Sequence, residues 1–269
     1  MAIGSETSGK KIDLNLNLAE HYGLGREALE RDLLPFASSV SIATGAHTGD
    51  IFQANLALEA CQAYPNTSIG ALISYPDVIG FGIRKVQLSR EELRATILAQ
   101  LGALTALAKQ YNYELNHVRI HGYLYHQMLT NYSVAETVTK TIQDFSQWLI
   151  IVAPYSKVLK EVISWVNLRV SYEARVDLRY DSEAHPLAYE YDKDGNLDIN
   201  VIADRARKLI YDSKVVSEEG IENKIQFETI HLPSSPKNAL EIAKLLKGMV
   251  PVLSSLKEFD YSVYLPEFL

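Results

Sequence analysis

Seven short runs rich in β-branched and apolar residues recur along this chain, each separated from the next by a stretch long enough to be a helix. The runs cover 11–18, 39–44, 68–74, 117–122, 148–153, 168–178 and 225–232. Helical patterns are expected over 26–36, 51–63, 89–111, 134–148, 156–166 and 201–211, with 236–247 closing the series. A hairpin needs only two linking residues, whereas parallel strands need a crossover of a dozen or more. Connectors of this length therefore do not suit the solvated face of an antiparallel sheet. The expected fold class is α/β, a seven-stranded parallel β/α barrel, with the first ten residues as a disordered tail and 11–269 as a single barrel domain.

The strand period sharpens this reading. In the first run Ile12, Leu14, Leu16 and Leu18 point one way, and Asp13, Asn15 and Asn17 the other. In the fourth, Val118 and Ile120 oppose Arg119 and His121. In the sixth, Ala174 and Val176 oppose Glu173, Arg175 and Asp177. So many polar groups facing inward must pair with each other, with water or with a ligand. A barrel lumen open at one end meets that need.

Composition narrows the partners. With 269 residues and 47% hydrophobic content the chain can bury a sizeable core, and its formal net charge of −7 argues against a nucleic-acid backbone as partner. Cys61 is the only cysteine, which excludes an intrachain disulfide, fits a reducing cytoplasm and reads as a small buried hydrophobe. The N-terminal stretch lacks the apolar core of a signal peptide, and the most apolar run, 148–154, is far short of the roughly 20 residues a spanning helix needs. The polar, turn-rich segment 181–196 reads as an excursion from the barrel.

Polar residues crowd the ends of several strands, where parallel α/β folds display reacting groups. His47 and Asp50 follow the second strand in Gly45-Ala46-His47-Thr48-Gly49-Asp50. Tyr75-Pro76-Asp77 with Gly80-Phe81-Gly82 follows the third, and His121-Gly122 with Tyr125 the fourth. Asp13 and Glu20 are candidates for acid/base work, Asp13 having a structural alternative as a partner of other lumen groups. His47 and His121 are candidates to donate protons, bind an oxyanion or ligate a metal. Asp50 has a competing role as cap of the helix starting at Ile51. Tyr75, Asp77 and Arg84 suit a carboxylate or phosphoryl group, with Arg119 adding a fork of donors. Asn15, Tyr125 and Asp177 complete the substrate-binding candidates. The glycines around Phe81 form no dinucleotide fingerprint, and no Walker-type lysine loop occurs. His47, Asp50, His121 and Asp13 supply metal-compatible atoms, but their spacing is not diagnostic, and no bound catalytic metal is expected.

These corners carry a resemblance. Ile12-Asp13-Leu14-Asn15-Leu16-Asn17-Leu18-Ala19-Glu20, the segment Ser41 to Asp50, Tyr75-Pro76-Asp77-Val78-Ile79-Gly80-Phe81-Gly82 and Val118-Arg119-Ile120-His121-Gly122-Tyr123-Leu124-Tyr125 resemble, in order, four motifs of the LamB/YcsF lactam-utilisation family. The resemblance implies a seven-stranded barrel related to polysaccharide deacetylases. It also implies the activity of the A-type component of ATP-dependent 5-oxoprolinase, opening 5-oxoproline or a related lactam to glutamate, with ATP and its accompanying Mg2+ and with separate B- and C-type subunits. Phosphorylation of the amide oxygen would make the ring carbon electrophilic, and water activated by a carboxylate or histidine would attack it. Any ATP site must then be unconventional or shared with the partners.

The departures from the family pattern define an alternative. Asn17 stands where the motif has aspartate, Ala19 where it has glycine, Leu72-Ile73 where it has His-Pro, and Arg119-Ile120 where it has Lys-Pro. Leu178 lacks an expected arginine, which Arg179 stands beside. His231-Leu232-Pro233-Ser234 replaces Val-His-Gly-Asp, so Ser234 takes the place of the aspartate. The competing expectation is a catalytically impaired barrel that binds a ligand or stabilises a partner complex. Metal-dependent deacetylation is a third reading.

Overall fold

A computed structural model describes residues 11–21, 27–187, 192–250, 252–253 and 255–258. The tail expected over 1–10, the residue expected to open the first helix, Arg26, and part of the 181–196 excursion lie outside them. Seven parallel strands close into a barrel: β1 (Asp13–Leu18), β2 (Ser39–Ala43), β3 (Ser68–Ile73), β4 (His117–Ile120), β5 (Ile150–Pro154), β6 (Arg169–Ala174) and, last in sequence, β9 (Thr229–Leu232), which lies between β6 and β1. The fold class read from the sequence holds.

Helices α1 (Glu27–Leu33), α2 (Ile51–Cys61), α3 (Arg90–Gln110), α4 (Gly122–Thr130), α5 (Tyr132–Phe145), α6 (Lys157–Val166) and α7 (Ile199–Asp212) carry the crossovers, and α8 (Ala239–Met249) follows the last strand. Local chemistry starts them. Ser89 accepts from the Glu92 amide while Glu92 accepts from the Ser89 amide, a reciprocal cap over an acidic first turn. Asn131, Ser156 and Asp198 cap α5, α6 and α7 in the simpler one-way manner.

Two elements go beyond the sequence pattern. Helix α4 begins at Gly122, just after His121, where the sequence pattern runs the fourth strand on to 122 and has no helix before 134, and a two-stranded antiparallel hairpin, β7 (Lys214–Val216) with β8 (Glu222–Lys224), precedes β9. The long sixth run ends at Ala174, and the seventh begins as a strand only at Thr229.

Leu14, Leu16, Val40, Ile42, Ile69, Ala71, Val118 and Ile120 point outward into the helical layer and are buried. Lumen residues are polar and equally buried, among them Asp13, Asn15, Ser39, Ser41, His117, Arg119, Ser171, Glu173 and Thr229. Enclosed polar groups are mostly paired, and the lower lumen is a hydrogen-bond cluster that leaves the Nδ1 of His117 unmatched. Asp13 accepts from Ser38 at 2.6 Å and from Ser39 and Thr229 at 2.9 Å each. Ser41 donates to Asn15, and the Nε2 of His117 lies 3.0 Å from Ser41 and 3.2 Å from the Asn15 amide. Beneath this layer the chain returns. Val252 bridges Ile12, and buried Leu256 packs on Ile150 and Val152. The barrel is thereby closed at its N-terminal end and offers chemistry only at the other.

Candidate active site at the barrel mouth

Glu20 leaves β1 at the mouth and meets groups carried by β4 and by β1 itself. Its Oε1 accepts from the Asn17 amide at 2.9 Å and lies 3.5 Å from Nδ1 of His121. Asn17 in turn accepts from Arg119 at 3.2 Å, and Arg119 forms a two-pronged pair with Glu173 at 2.5 and 2.7 Å. Burial pushes the Glu20 carboxyl up to about 7, the nearby Arg119 charge opposing the shift. A carboxyl poised there exchanges protons readily at neutral pH.

His121 has a defined tautomer. Its Nε2 lies 3.1 Å from the Phe81 carbonyl, which can only accept, so Nε2 carries the hydrogen and Nδ1 presents a lone pair towards Glu20. Burial holds this imidazole well below its usual range, with neighbouring His47 adding to the effect. His47 stacks on His121 with ring centroids 4.8 Å apart, and burial pulls it down to about 3. Neither ring nitrogen of His47 has a hydrogen-bond partner. Two neutral imidazoles and a proton-sharing carboxyl thus form one array.

The loops that hold this array are tied together. Thr48 donates to the Glu20 carbonyl at 2.6 Å, and Ser74 donates to the His121 carbonyl at 2.8 Å. From α3, Gln100 accepts from Thr44 and donates to the Ser74 carbonyl, at 2.9 Å each, bracing the ends of β2 and β3. Gly49, at φ +61°, sits so close to the Ala19 carbonyl that a Cβ would lie 1.8 Å from that oxygen. Gly122, at φ +63°, meets the Gly82 carbonyl in the same way.

Beside the array opens a cavity of about 380 Å³ whose polar lining is Arg119, His121, Tyr125, His126 and Arg175. Arg175 forks onto Asp177 at 2.9 and 2.6 Å. The Tyr125 hydroxyl is buried without a partner, and burial raises it well above its usual range, so it keeps its proton.

Of the residues singled out in sequence, Glu20, His47, His121, Arg119 and Tyr125 come together here, with Asp177 behind Arg175. The others do not join them. Asp13 opens β1 at the closed end, four residues below Asn17 and about 13 Å away along the strand. There it ties β1 to β2 and β9; burial raises its carboxyl to about 6. Placing it with Glu20 at the strand's end is corrected by this geometry. Asn15 is consumed by Ser39, Ser41 and His117. Asp50 caps α2, accepting from the Gln53 amide at 2.8 Å. Asp77 accepts from the Arg84 side chain and from the amides of Gly80 and Arg84, which holds its carboxyl below the ordinary range. Tyr75 packs its ring near Tyr123, 6.0 Å between centroids. Neither it nor the Asp77–Arg84 pair lines the cavity.

Glu173, Arg175, Tyr180 and His231 join the site without being candidates by sequence. Glu173 and Arg175 carry the signal of polar alternation on and just beyond β6. Tyr180 has no such signal, yet its hydroxyl accepts from the Arg175 amide at 2.8 Å. His231 enters the lumen opposite Asn15, its Nδ1 without a partner.

A closed parallel barrel with a carboxyl–imidazole array at its C-terminal mouth belongs to the class of β/α-barrel proteins that carry chemistry on their strand-end loops. The LamB/YcsF family model matches residues 12–252, and the chain belongs to that family. Relatives named as the A component of 5-oxoprolinase include one from Campylobacter jejuni, 30% identical over 88% of this chain and 92% of its own length. Another, from Acinetobacter baumannii, is 32% identical over 88% and 93%. Among solved structures, the lactam utilization protein of Thermus thermophilus superposes with a TM-score of 0.76, at 29% identity, covering 88% of this chain and 94% of that one. No helix among the described residues is long and apolar enough to cross a membrane.

Proposed function

We propose that this chain is the A-type component of a 5-oxoprolinase-like enzyme, a hydrolase that opens a five-membered lactam at its C–N bond. The observation that carries the reading is the Glu20–His121 couple at the mouth of a family barrel. Water attacking the ring carbonyl carbon must lose a proton as the C–O bond forms, and the ring nitrogen must gain one as the C–N bond breaks. Ionised Glu20 takes the first proton and returns it to the ring nitrogen as the C–N bond breaks, while His121, its Nδ1 facing that carboxyl, positions it.

The nucleotide fits this barrel poorly. Arg84, Arg119 and Arg175 are each already matched by a carboxylate, and no glycine-rich phosphate loop follows a strand among the described residues. We therefore assign ATP and its Mg2+ to a site completed by B- and C-type partner subunits. That the relatives are named as one component of 5-oxoprolinase supports a multi-subunit assembly.

A second reading, a barrel that binds lactam but has lost turnover, is favoured by Leu72. It occupies a lumen-facing position in register with Ala43 and Arg119 and is fully buried, filling with hydrocarbon a place where the family pattern has an imidazole. Metal-dependent deacetylation has no such support, since no group of three His, Cys, Asp or Glu side chains among the described residues is arranged to hold a metal.

The deciding experiment is glutamate and ADP release from 5-oxoproline and ATP by the purified chain together with its partner subunits. Release of both in equal amounts supports the hydrolase. A folded, assembled sample that binds 5-oxoproline and releases neither supports the second reading.

A further inference from the structure

Several of the large apolar side chains that this chain leaves in water stand on two neighbouring corners of the mouth. Ile51 and Phe52 occupy the first turn of α2, and Val78, Ile79 and Ile83 the loop between β3 and α3. Phe52 is 62% exposed, Ile83 63% and Ile79 91%. The two corners touch, since a Cβ on Gly82 would lie 3.2 Å from the Cβ of His47.

The backbone holds these side chains outward. Asp77 accepts from the amides of Gly80 and Arg84 and pairs with the Arg84 side chain. The Gly82 amide donates to the Asp77 carbonyl at 2.9 Å, and the Gly82 carbonyl accepts from the Tyr123 amide at 2.7 Å. Asp50 fixes the other corner by capping α2. The Asp77–Arg84 pair, which has no place in the cavity, thus shapes the loop that turns three aliphatic side chains to solvent. An apolar surface already ordered loses little conformational freedom when it is covered. The five side chains open roughly 500 Å² to water, more than half of the about 800 Å² that one partner contributes to a standard interface.

The position of the patch selects its occupant. Ile83 belongs both to this rim and to the wall of the mouth cavity, so whatever covers the rim faces the cavity beside the Glu20–His121 couple. Under the lactam reading the γ-phosphoryl group of ATP passes to the amide oxygen and leaves ADP, and the donor sits on another subunit. Transfer needs donor and acceptor held together in an enclosure that excludes water. The nucleotide-bearing subunit therefore has to seal against the mouth, and a second copy of this chain on the same rim would shut that donor out. We propose that Ile51, Phe52, Val78, Ile79 and Ile83 form the docking surface for the nucleotide-bearing partner subunit, which meets them with an apolar face of its own. This rests on the lactam reading for the identity of the partner.

The test is sedimentation of the full-length chain, alone and titrated with purified B- and C-type subunits, together with glutamate release from 5-oxoproline and ATP as a function of chain concentration. Phe52→Asp and Ile79→Asp touch neither the cavity nor the carboxyl–imidazole array, and Trp165→Asp, 78% exposed at the far end of α6, serves as control. Each rim variant is expected to weaken association about tenfold and to raise the half-saturating chain concentration by the same factor with the plateau rate unchanged, while Trp165→Asp behaves as the parent. Rim variants that assemble like the parent, a loss confined to Trp165→Asp, a parent that does not associate with the other subunits, or a parent that sediments alone as a dimer and becomes monomeric in the rim variants overturns the docking surface. Failure of the lactam reading has a different signature: the subunits assemble, the rim variants weaken assembly tenfold, and no mixture releases glutamate. Glutamate release with the same concentration dependence in parent and rim variants sinks the docking surface and leaves the lactam reading standing.

Discussion

His121 turns the hydrogen of its Nε2 to the Phe81 carbonyl and the lone pair of its Nδ1 to Glu20, 3.5 Å away. A neutral imidazole so oriented can share the proton of a carboxyl that titrates near 7. The carboxyl is therefore only partly protonated at neutral pH and ionised above it, which suits a group that must take a proton from water.

The buried histidines set the acid limit of stability. Burial lowers His47 and His117 to about 3 and takes His121 and His231 well below their usual range. As pH falls below 6.5 the unfolded chain takes up protons that the folded one refuses, so stability is lost between about pH 6.5 and 3. Asp13 and Glu20 work in the opposite sense. Their folded values of about 6 and 7 mean the folded state keeps protons the unfolded chain releases, a contribution lost as pH rises through those values. Four groups outweigh two, and urea midpoints should drop from pH 6.5 to 4.5, less steeply in His47→Gln than in the parent. An equal slope in both would contradict the assignment.

Arg119 and Glu173 are fully enclosed and satisfied by each other, with Asn17 taking a third Arg119 hydrogen. Removing one partner leaves a buried charge unmatched. Glu173→Gln or Arg119→Met is expected to cost about 3–5 kcal/mol, and the double variant less than the sum. Urea unfolding of the four proteins closes the cycle; additive losses would show that the two do not act as a pair.

Ala19 holds a left-handed backbone, φ +60°, at the foot of the Glu20 loop. A Cβ there is strained, and the family pattern has glycine. Ala19→Gly is expected to raise stability by about 0.5–1 kcal/mol, seen as a higher thermal midpoint. A lower midpoint would show that burial of the methyl group outweighs the strain.

The barrel was legible because alternation along β1, β4 and β6 and helical spacing between strands reflect local physics. Alternation tells which face a residue occupies but says nothing of its height in the lumen. Hence Asp13 and Asn17 look equivalent in sequence, although one seals the floor beside Thr229 and the other meets Glu20 at the mouth. The partner of Arg119 comes from strand register around a closed barrel, which brings Glu173, 54 residues away in sequence, against it. Asp77 and Arg84 read as ligand groups because both are polar in a strand-end corner. Only three dimensions show that they satisfy each other.

The most direct test of the Glu20–His121 couple is the pH dependence of 5-oxoproline turnover by the assembled subunits, compared between parent and Glu20→Gln. The parent should gain activity as pH rises through about 7, the value burial gives Glu20. The glutamine variant should fold, bind 5-oxoproline, and turn over at least about a hundredfold more slowly with that acid limb gone. Turnover within a few-fold of the parent, with the limb near 7 intact, would contradict the assignment of the base.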